Sequence, residues 1–160
     1  MRRLEGSCHC GAVRFSVMSH TPVPYMRCYC SICRKTAGGG GYAVNMMGEA
    51  GTLEVTGADH VTVYRARGAE DSDVGQGRRH FCRHCGSALY VTDPRWPELV
   101  HPFASAIDSS LPEAADRQHI MLDHKSSWVA VREGPNDAHF AVYPDRSIAD
   151  WHKDHGLYEP

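Results

Sequence analysis

Seven cysteines stand in three tight groups, Cys8/Cys10, Cys28/Cys30/Cys33 and Cys82/Cys85. No other feature restricts the fold as strongly. Sulfurs spaced this closely can be turned toward one point, and converging soft thiolates suit zinc better than other common cations. An odd number rules out complete intramolecular disulfide pairing, and seven is one short of two four-cysteine sites. Four plus three is the division that fits metal chemistry. A single cysteine in such a chain can be a small buried apolar residue, but the clustering of all seven argues against that for the set.

A C-x-C or C-x-x-C knuckle usually supplies two ligands, and a structural zinc takes two such pairs, which can lie far apart in sequence. The outer pairs therefore form one closed site, Cys8, Cys10, Cys82 and Cys85, stapling an N-terminal strand to a hairpin in mid-chain. The middle run, Cys28-Tyr29-Cys30-Ser31-Ile32-Cys33, is left without a fourth cysteine. Two completions stay open. A histidine (His9, His80 and His84 lie near the other knuckles) would close the site and make it structural. Water or substrate in the fourth position would make it catalytic. A zinc of that second kind holds an incoming thiol as its thiolate, because coordination removes the proton. Three thiolates on a dication leave one net negative charge, and a fourth makes two. Arg34 and Lys35 follow the cluster directly and are placed to offset that charge or to hold an anionic substrate; the alternative is a solvated basic pair.

The 160 residues are enough for one domain with its own core, and we expect a single zinc-binding domain over residues 1–160. With 42% apolar and 22% charged residues, disorder is not expected. The net charge of -2 implies no basic face and argues against nucleic acid as a partner. No apolar run approaches the roughly 20 residues of a membrane span. The N-terminal residues contain no apolar signal-peptide core, so a cytoplasmic location is expected, where thiols stay reduced.

Short strands dominate the pattern. Val13, Phe15 and Val17 alternate with polar residues, as in a half-buried strand. Residues 25–27 read as a short strand leading into the central cluster, and residues 42–46 as the next. Residues 52–55 and 60–64 read as a hairpin about Gly57. Residues 68–77 read as an exposed loop. Residues 78–82 and 87–91 flank Cys82-Arg83-His84-Cys85-Gly86, two strands joined by a zinc knuckle. Residues 118–122 and 128–131 read as late strands. Residues 147–155 read as a helix capped by Ser147, with Ile148 and Trp151 facing the core and Gly156 ending it. Gly38 to Gly41 form either a flexible loop or a backbone that a ligand approaches closely. Tyr42, Asn45 and His60 are substrate-contact candidates by placement, with structural roles as the alternative.

These motifs, in order, resemble one family. Residues 6–13 (GSCHCGAV), 28–35 (CYCSICRK) and 81–87 (FCRHCGS) are similar to those of the glutathione-dependent formaldehyde-activating enzymes, a family that also includes the centromere protein V group. His119-Ile120 and residues 125–128 (KSSW) resemble its closing motif. The resemblance implies a mainly β, Mss4-like or β-tent fold: small antiparallel sheets stapled by zinc, with a short C-terminal helix. It implies structural zinc on Cys8, Cys10, Cys82 and Cys85 and catalytic zinc on Cys28, Cys30 and Cys33. It also implies a carbon–sulfur lyase that forms or cleaves S-(hydroxymethyl)glutathione from formaldehyde and glutathione.

Two other functions compete. One is a non-catalytic zinc-stabilised binding module of the same fold; chromatin roles of that kind favour a basic extension, which this slightly acidic chain lacks. The other is methionine sulfoxide reduction, which needs a redox cysteine outside the metal pairs, and metal spacing accounts for every cysteine here.

Overall fold

The computed structural model of the chain describes residues 1–67, 74–131 and 134–160. The chain opens with β1 (Arg2–Ser7), β2 (Arg14–Ser19) and β3 (Met26–Cys28), followed by the one-and-a-half-turn helix α1 (Ser31–Thr36). Four strands come next: β4 (Ala43–Val44), β5 (Gly48–Glu49), β6 (Glu54–Thr56) and β7 (Val61–Arg67). After them come β8 (Val74–Cys82), β9 (Ala88–Thr92), β10 (Leu99–Pro102), β11 (Gln118–Ile120) and β12 (Ala138–His139). The C-terminal helix α2 spans Ile148–Asp154. Among the described residues the fold is mainly β, in three small sheets ordered β1-β2-β6, β5-β10-β9-β8-β7 and β12-β11-β3-β4.

The first two sheets are antiparallel throughout. The third departs from the expected antiparallel pattern: β11 runs parallel to both β3 and β12 and only β4 is antiparallel. Leu4, Phe15 and Val17 from the first sheet pack against Leu89, Tyr90 and Val100 from the second, and the core formed this way includes Cys8 and Cys82. A smaller cluster of Cys28, Cys33, Ala43, Phe103 and Ile120 lies beneath the third sheet. The two groups of cysteines thus grow out of two different apolar clusters.

Several expected elements are present: the strand through Phe15 and Val17, the short strand before the central cysteines, and the strands on both sides of Cys82 and Cys85. The strand expected at 118–122 is β11. β1 is a full strand paired with β2 along its length, though its sequence shows little alternation. Other expectations are overturned. Residues 52–55 and 60–64 do not form a hairpin: β6 pairs with β2, and β7 with β8. Gly57 takes the left-handed backbone at the turn between them, φ 76°, with the Ala12 carbonyl oxygen 2.0 Å from where a Cβ would sit, and the 3-10 turn Ala58–His60 follows it. Residues 68–73 of the expected loop lie outside the described residues, whereas Gly75 to Gly77 belong to β8. Residues 128–131 are not a strand. The chain turns there, with the Val129 N–H on the Ser126 carbonyl at 3.1 Å and the Lys125 ammonium donating to the carbonyls of Ser126 and Val129.

The C-terminal helix is held as its sequence suggests. Ser147 Oγ accepts the Asp150 N–H at 3.1 Å, and Gly156, with φ 66°, ends it. Trp151 is buried and stacks on Tyr25 with ring centroids 3.6 Å apart. His152 is wholly buried beside it. Its Nδ1–H donates to the Ile148 carbonyl at 2.8 Å and its Nε2 accepts the Val23 N–H at 3.1 Å, so the ring is neutral with both nitrogens used. Burial pushes His152 below the ordinary imidazole value. A histidine depressed in the fold gives its full stability above the unfolded value of about 6.5 and loses it as pH falls through that value. Denaturant midpoints are therefore expected to drop between pH 7 and 5.5. His152→Gln, which keeps an acceptor but cannot titrate, is expected to be less stable at pH 7.5 and to lose less on acidification. Chemical denaturation of both proteins across this range checks it, and parallel pH slopes would remove His152 as a source.

Candidate metal centres

Two turns of matching design build the outer cluster. After β1 the chain places Cys8 and Cys10 around a turn closed by Gly11 N–H on the Cys8 carbonyl at 3.0 Å. After β8 it places Cys82 and Cys85 around a turn closed by Gly86 N–H on the Cys82 carbonyl at 2.9 Å. Gly11 and Gly86 both adopt left-handed backbone, φ 76° and 74°, which a side chain would disfavour. The turn from Cys8 to Val13 also aims the Val13 N–H at Cys8 Sγ, 3.2 Å away, and the His9 N–H crosses to Ser87 Oγ at 3.0 Å, tying one turn to the other. All four sulfurs lie within 4.8 Å of one another. Zinc–sulfur bonds of about 2.3 Å in tetrahedral geometry put sulfurs roughly 3.8 Å apart. The Cys8–Cys10 and Cys10–Cys82 separations of 3.5 and 3.7 Å fit that donor set.

The inner cluster is built differently. Cys28 ends β3, clamped between Ile120 of β11 and Ala43 of β4. Cys30 is the N-cap of α1, its sulfur accepting the Cys33 N–H at 3.3 Å. Cys33 follows on the first turn of that helix and is buried. The three sulfurs lie within 4.8 Å of one another, and this group contains no histidine or carboxylate among the described residues. His80 instead bonds Thr92 Oγ1, and His84 bonds His60, while His9 joins neither group. Hydrogen bonds from Cys28 and Cys33 hold the Cys30 thiol down, to about 2, and the same contacts together with burial push Cys28 up. A nearby cation is what would let all three ionise together.

The inner sulfurs form part of the wall of a cavity of about 490 Å³, and none of the outer four lines it. Its size suits a small-molecule ligand. Asn45 Nδ2 and Arg79 Nη2 both point at Cys33 Sγ, each at 3.7 Å. Arg95, pinned by Asp93 through contacts of 2.7 and 3.0 Å, also faces this space, and Tyr143 adjoins it. Asn45 therefore borders the cavity beside Cys33. Tyr42 instead packs on Tyr29 and under the Arg27 guanidinium, and His60 lies against His84 beside the outer cluster. Arg34, Lys35, Gly38 and Gly39 line a separate recess with Ser87 and Ser105. The basic group against the sulfurs is Arg79, 46 residues beyond Cys33. Nothing in the sequence announces it, because only the sheet brings β8 over the cluster.

Behind the inner loop runs a buried chain of hydrogen bonds. Tyr29, between two of the cysteines, donates its hydroxyl to His119 Nδ1 at 2.8 Å. His119 Nε2–H reaches Asp137 Oδ2 at 3.3 Å, and Asp137 also accepts the N–H groups of Arg117 and Gly134. Burial opposes ionisation of Asp137, yet these donors hold it below the usual carboxylate range. The chain anchors the backbone between Cys28 and Cys30 from the side away from the cavity.

The outer cluster joins two distant turns, and structural zinc in comparable peptides contributes about 10–16 kcal/mol, against roughly 5–15 kcal/mol of net stability for a domain. Cys82→Ser is expected to yield protein that is insoluble or lacks a cooperative thermal transition. Circular dichroism melts check this, and a soluble variant melting at the wild-type temperature would refute the staple.

Comparison with known proteins agrees with this geometry. Residues 3–124 match the family model of the glutathione-dependent formaldehyde-activating enzyme. A Halomonas elongata protein named "Putative glutathione-dependent formaldehyde-activating enzyme" is 61% identical over 156 residues, covering 98% of each chain. A crystal structure of a Rhodobacter sphaeroides protein is similar in fold, with a TM-score of 0.52 and 28% identity over 68% of this chain and 91% of that one. With three cysteine motifs gathered into two sulfur clusters, the chain belongs to the glutathione-dependent formaldehyde-activating enzyme family.

Proposed function

We propose that this protein is a zinc-dependent carbon–sulfur lyase that joins glutathione, or a close thiol analogue, to formaldehyde, and cleaves the adduct in reverse. The supporting observation is the separation of roles in space: three sulfurs line a 490 Å³ cavity, and the four outer sulfurs do not. In this reading Cys8, Cys10, Cys82 and Cys85 hold a structural zinc. Cys28, Cys30 and Cys33 would hold a catalytic one, with only three protein ligands and so open to a substrate thiol. Zinc bound there would supply the thiol as a thiolate at neutral pH and polarise its surroundings.

The chain's own part is to bind and orient. The thiolate sulfur attacks the aldehyde carbon and a C–S bond forms. The C=O π electrons move to oxygen, and the proton lost by the thiol returns to that oxygen, giving the S-hydroxymethyl adduct without any change of oxidation state. Holding the two reactants together in a small cavity converts an encounter into a positioned reaction. Met26, Ile32 and Ile120 supply apolar wall, while Asn45 and Arg79 supply polar groups for an anionic substrate. The whole chain acts as one zinc-binding domain. Its seven free thiols suit the reducing cytoplasm, and no helix among the described residues is long and apolar enough to cross a membrane.

Elemental analysis of wild type and Cys30→Ser, each titrated with glutathione, tests the assignment. About two zinc ions per chain falling to about one, with glutathione binding lost, is the expected result. One zinc in both proteins and no glutathione binding would leave only the outer staple. In the first case, consumption of formaldehyde with glutathione, measured above the uncatalysed rate, is expected in wild type and absent in the variant.

A further inference from the structure

We infer that Arg79 is the charge-compensating residue of the inner cluster, the group that allows three cysteine sulfurs to be joined by a fourth, anionic one. The inference rests on the proposal that this cluster is an open thiol-binding centre. Arg79 lies in mid-β8, with Tyr64 of β7 and Val91 of β9 opposite it, so its backbone is held from both sides. The half-buried side chain reaches over α1. One terminal nitrogen lies 3.7 Å from Cys33 Sγ and the other 3.5 Å from Thr36 Oγ1. The two contacts use the planar fork that distinguishes arginine from lysine.

The other cations nearby are committed elsewhere. Arg95 is paired with Asp93, and Arg146 with Asp154 at 3.3 Å. Arg34 and Lys35 line the separate recess. Among the described residues no carboxylate lies within ion-pair distance of Arg79. Among the described residues, the anionic group that Arg79 faces is the sulfur cluster, through Cys33 Sγ. Three thiolates on a divalent ion carry one net negative charge, and an incoming thiolate brings the total to two. The adjacent positive charge offsets that second charge, while a neutral fourth ligand gains less from it. Asn45, on the same sulfur, supplies an N–H without charge. Arg79 is thus a positioning residue for the reaction and selects for a thiolate in the fourth position.

The test uses the full chain loaded with Co²⁺ in place of zinc, so that thiol binding is read from the sulfur-to-cobalt absorption and metal content is followed separately. Wild type, Arg79→Gln, Arg79→Lys and Asn45→Asp are titrated with glutathione and with 2-mercaptoethanol, a thiol with no carboxylate. Metal content is expected to match wild type in all variants. Affinity for both thiols is expected to fall roughly 10- to 100-fold in Arg79→Gln, the range of charge-assisted hydrogen bonds, and to recover in part in Arg79→Lys. Asn45→Asp, which sets a carboxylate against the same sulfur that Arg79 faces and so cancels the added positive charge, is expected to show a similar loss and provides the test if Arg79→Gln does not fold. Wild-type affinity in Arg79→Gln or Asn45→Asp would overturn the inference. So would loss for glutathione alone, which would make Arg79 a carboxylate anchor. Failure of fully loaded wild type to bind either thiol would instead overturn the open-centre reading beneath it.

Discussion

Four sulfurs drawn together at the ends of two hairpin-like turns are the constraint on which the rest of the structure depends. The turn after β1 and the turn after β8 are some 70 residues apart in sequence, yet Cys10 and Cys82 lie 3.7 Å apart. No helix among the described residues exceeds two turns, and most strands pair over only two to six residues. Short elements of this kind have little stability alone, so the contact that locks the first sheet onto the second counts for more here than in a fold of long elements. Two of the sulfurs, Cys8 and Cys82, are buried within the main apolar cluster. A metal held there would therefore act on the same residues as the core packing, and loss of either would expose the other.

β8 carries this constraint to the inner site. One end of the strand delivers Cys82 to the staple. Its middle delivers Arg79 to Cys33, and its other end, through Gly75 and Gly77, borders the cavity. A strand fixed at one end by a metal-type turn and paired on both edges is a rigid arm, and rigidity is what a group aimed at a sulfur centre requires. The inner loop is held from the opposite side by the buried Tyr29–His119–Asp137 chain. The centre is thus gripped between one polar network behind it and one strand before it, which leaves the cavity side open.

The sequence made some of this legible and hid the rest for identifiable reasons. Cysteine spacing is local, so the division into four and three could be read directly, as could the capped C-terminal helix, whose signals all lie within ten residues. Residues 52–55 and 60–64 form no hairpin because alternation marks a strand without naming its partner, and the two halves pair in different sheets. The strand expected at 128–131 failed because apolar residues there are held in a turn by Lys125, a contact no periodicity encodes. Arg34 and Lys35 were attractive as the charge partners of the cluster because they are its neighbours in sequence. The short helix that starts at Ser31 rotates them away from the cavity.

What the sequence determined by itself is therefore the chemistry on offer: soft thiols, their number, their grouping and the family the chain belongs to, since these depend on residue type and short spacing. What only the tertiary structure decided is which side of each cluster faces a cavity and which distant residues meet it. Arg79 at Cys33, Asn45 beside it and Tyr29 on His119 are joined by sheet register and strand order, which arise from the packing of the whole chain and leave no mark in any local stretch of it.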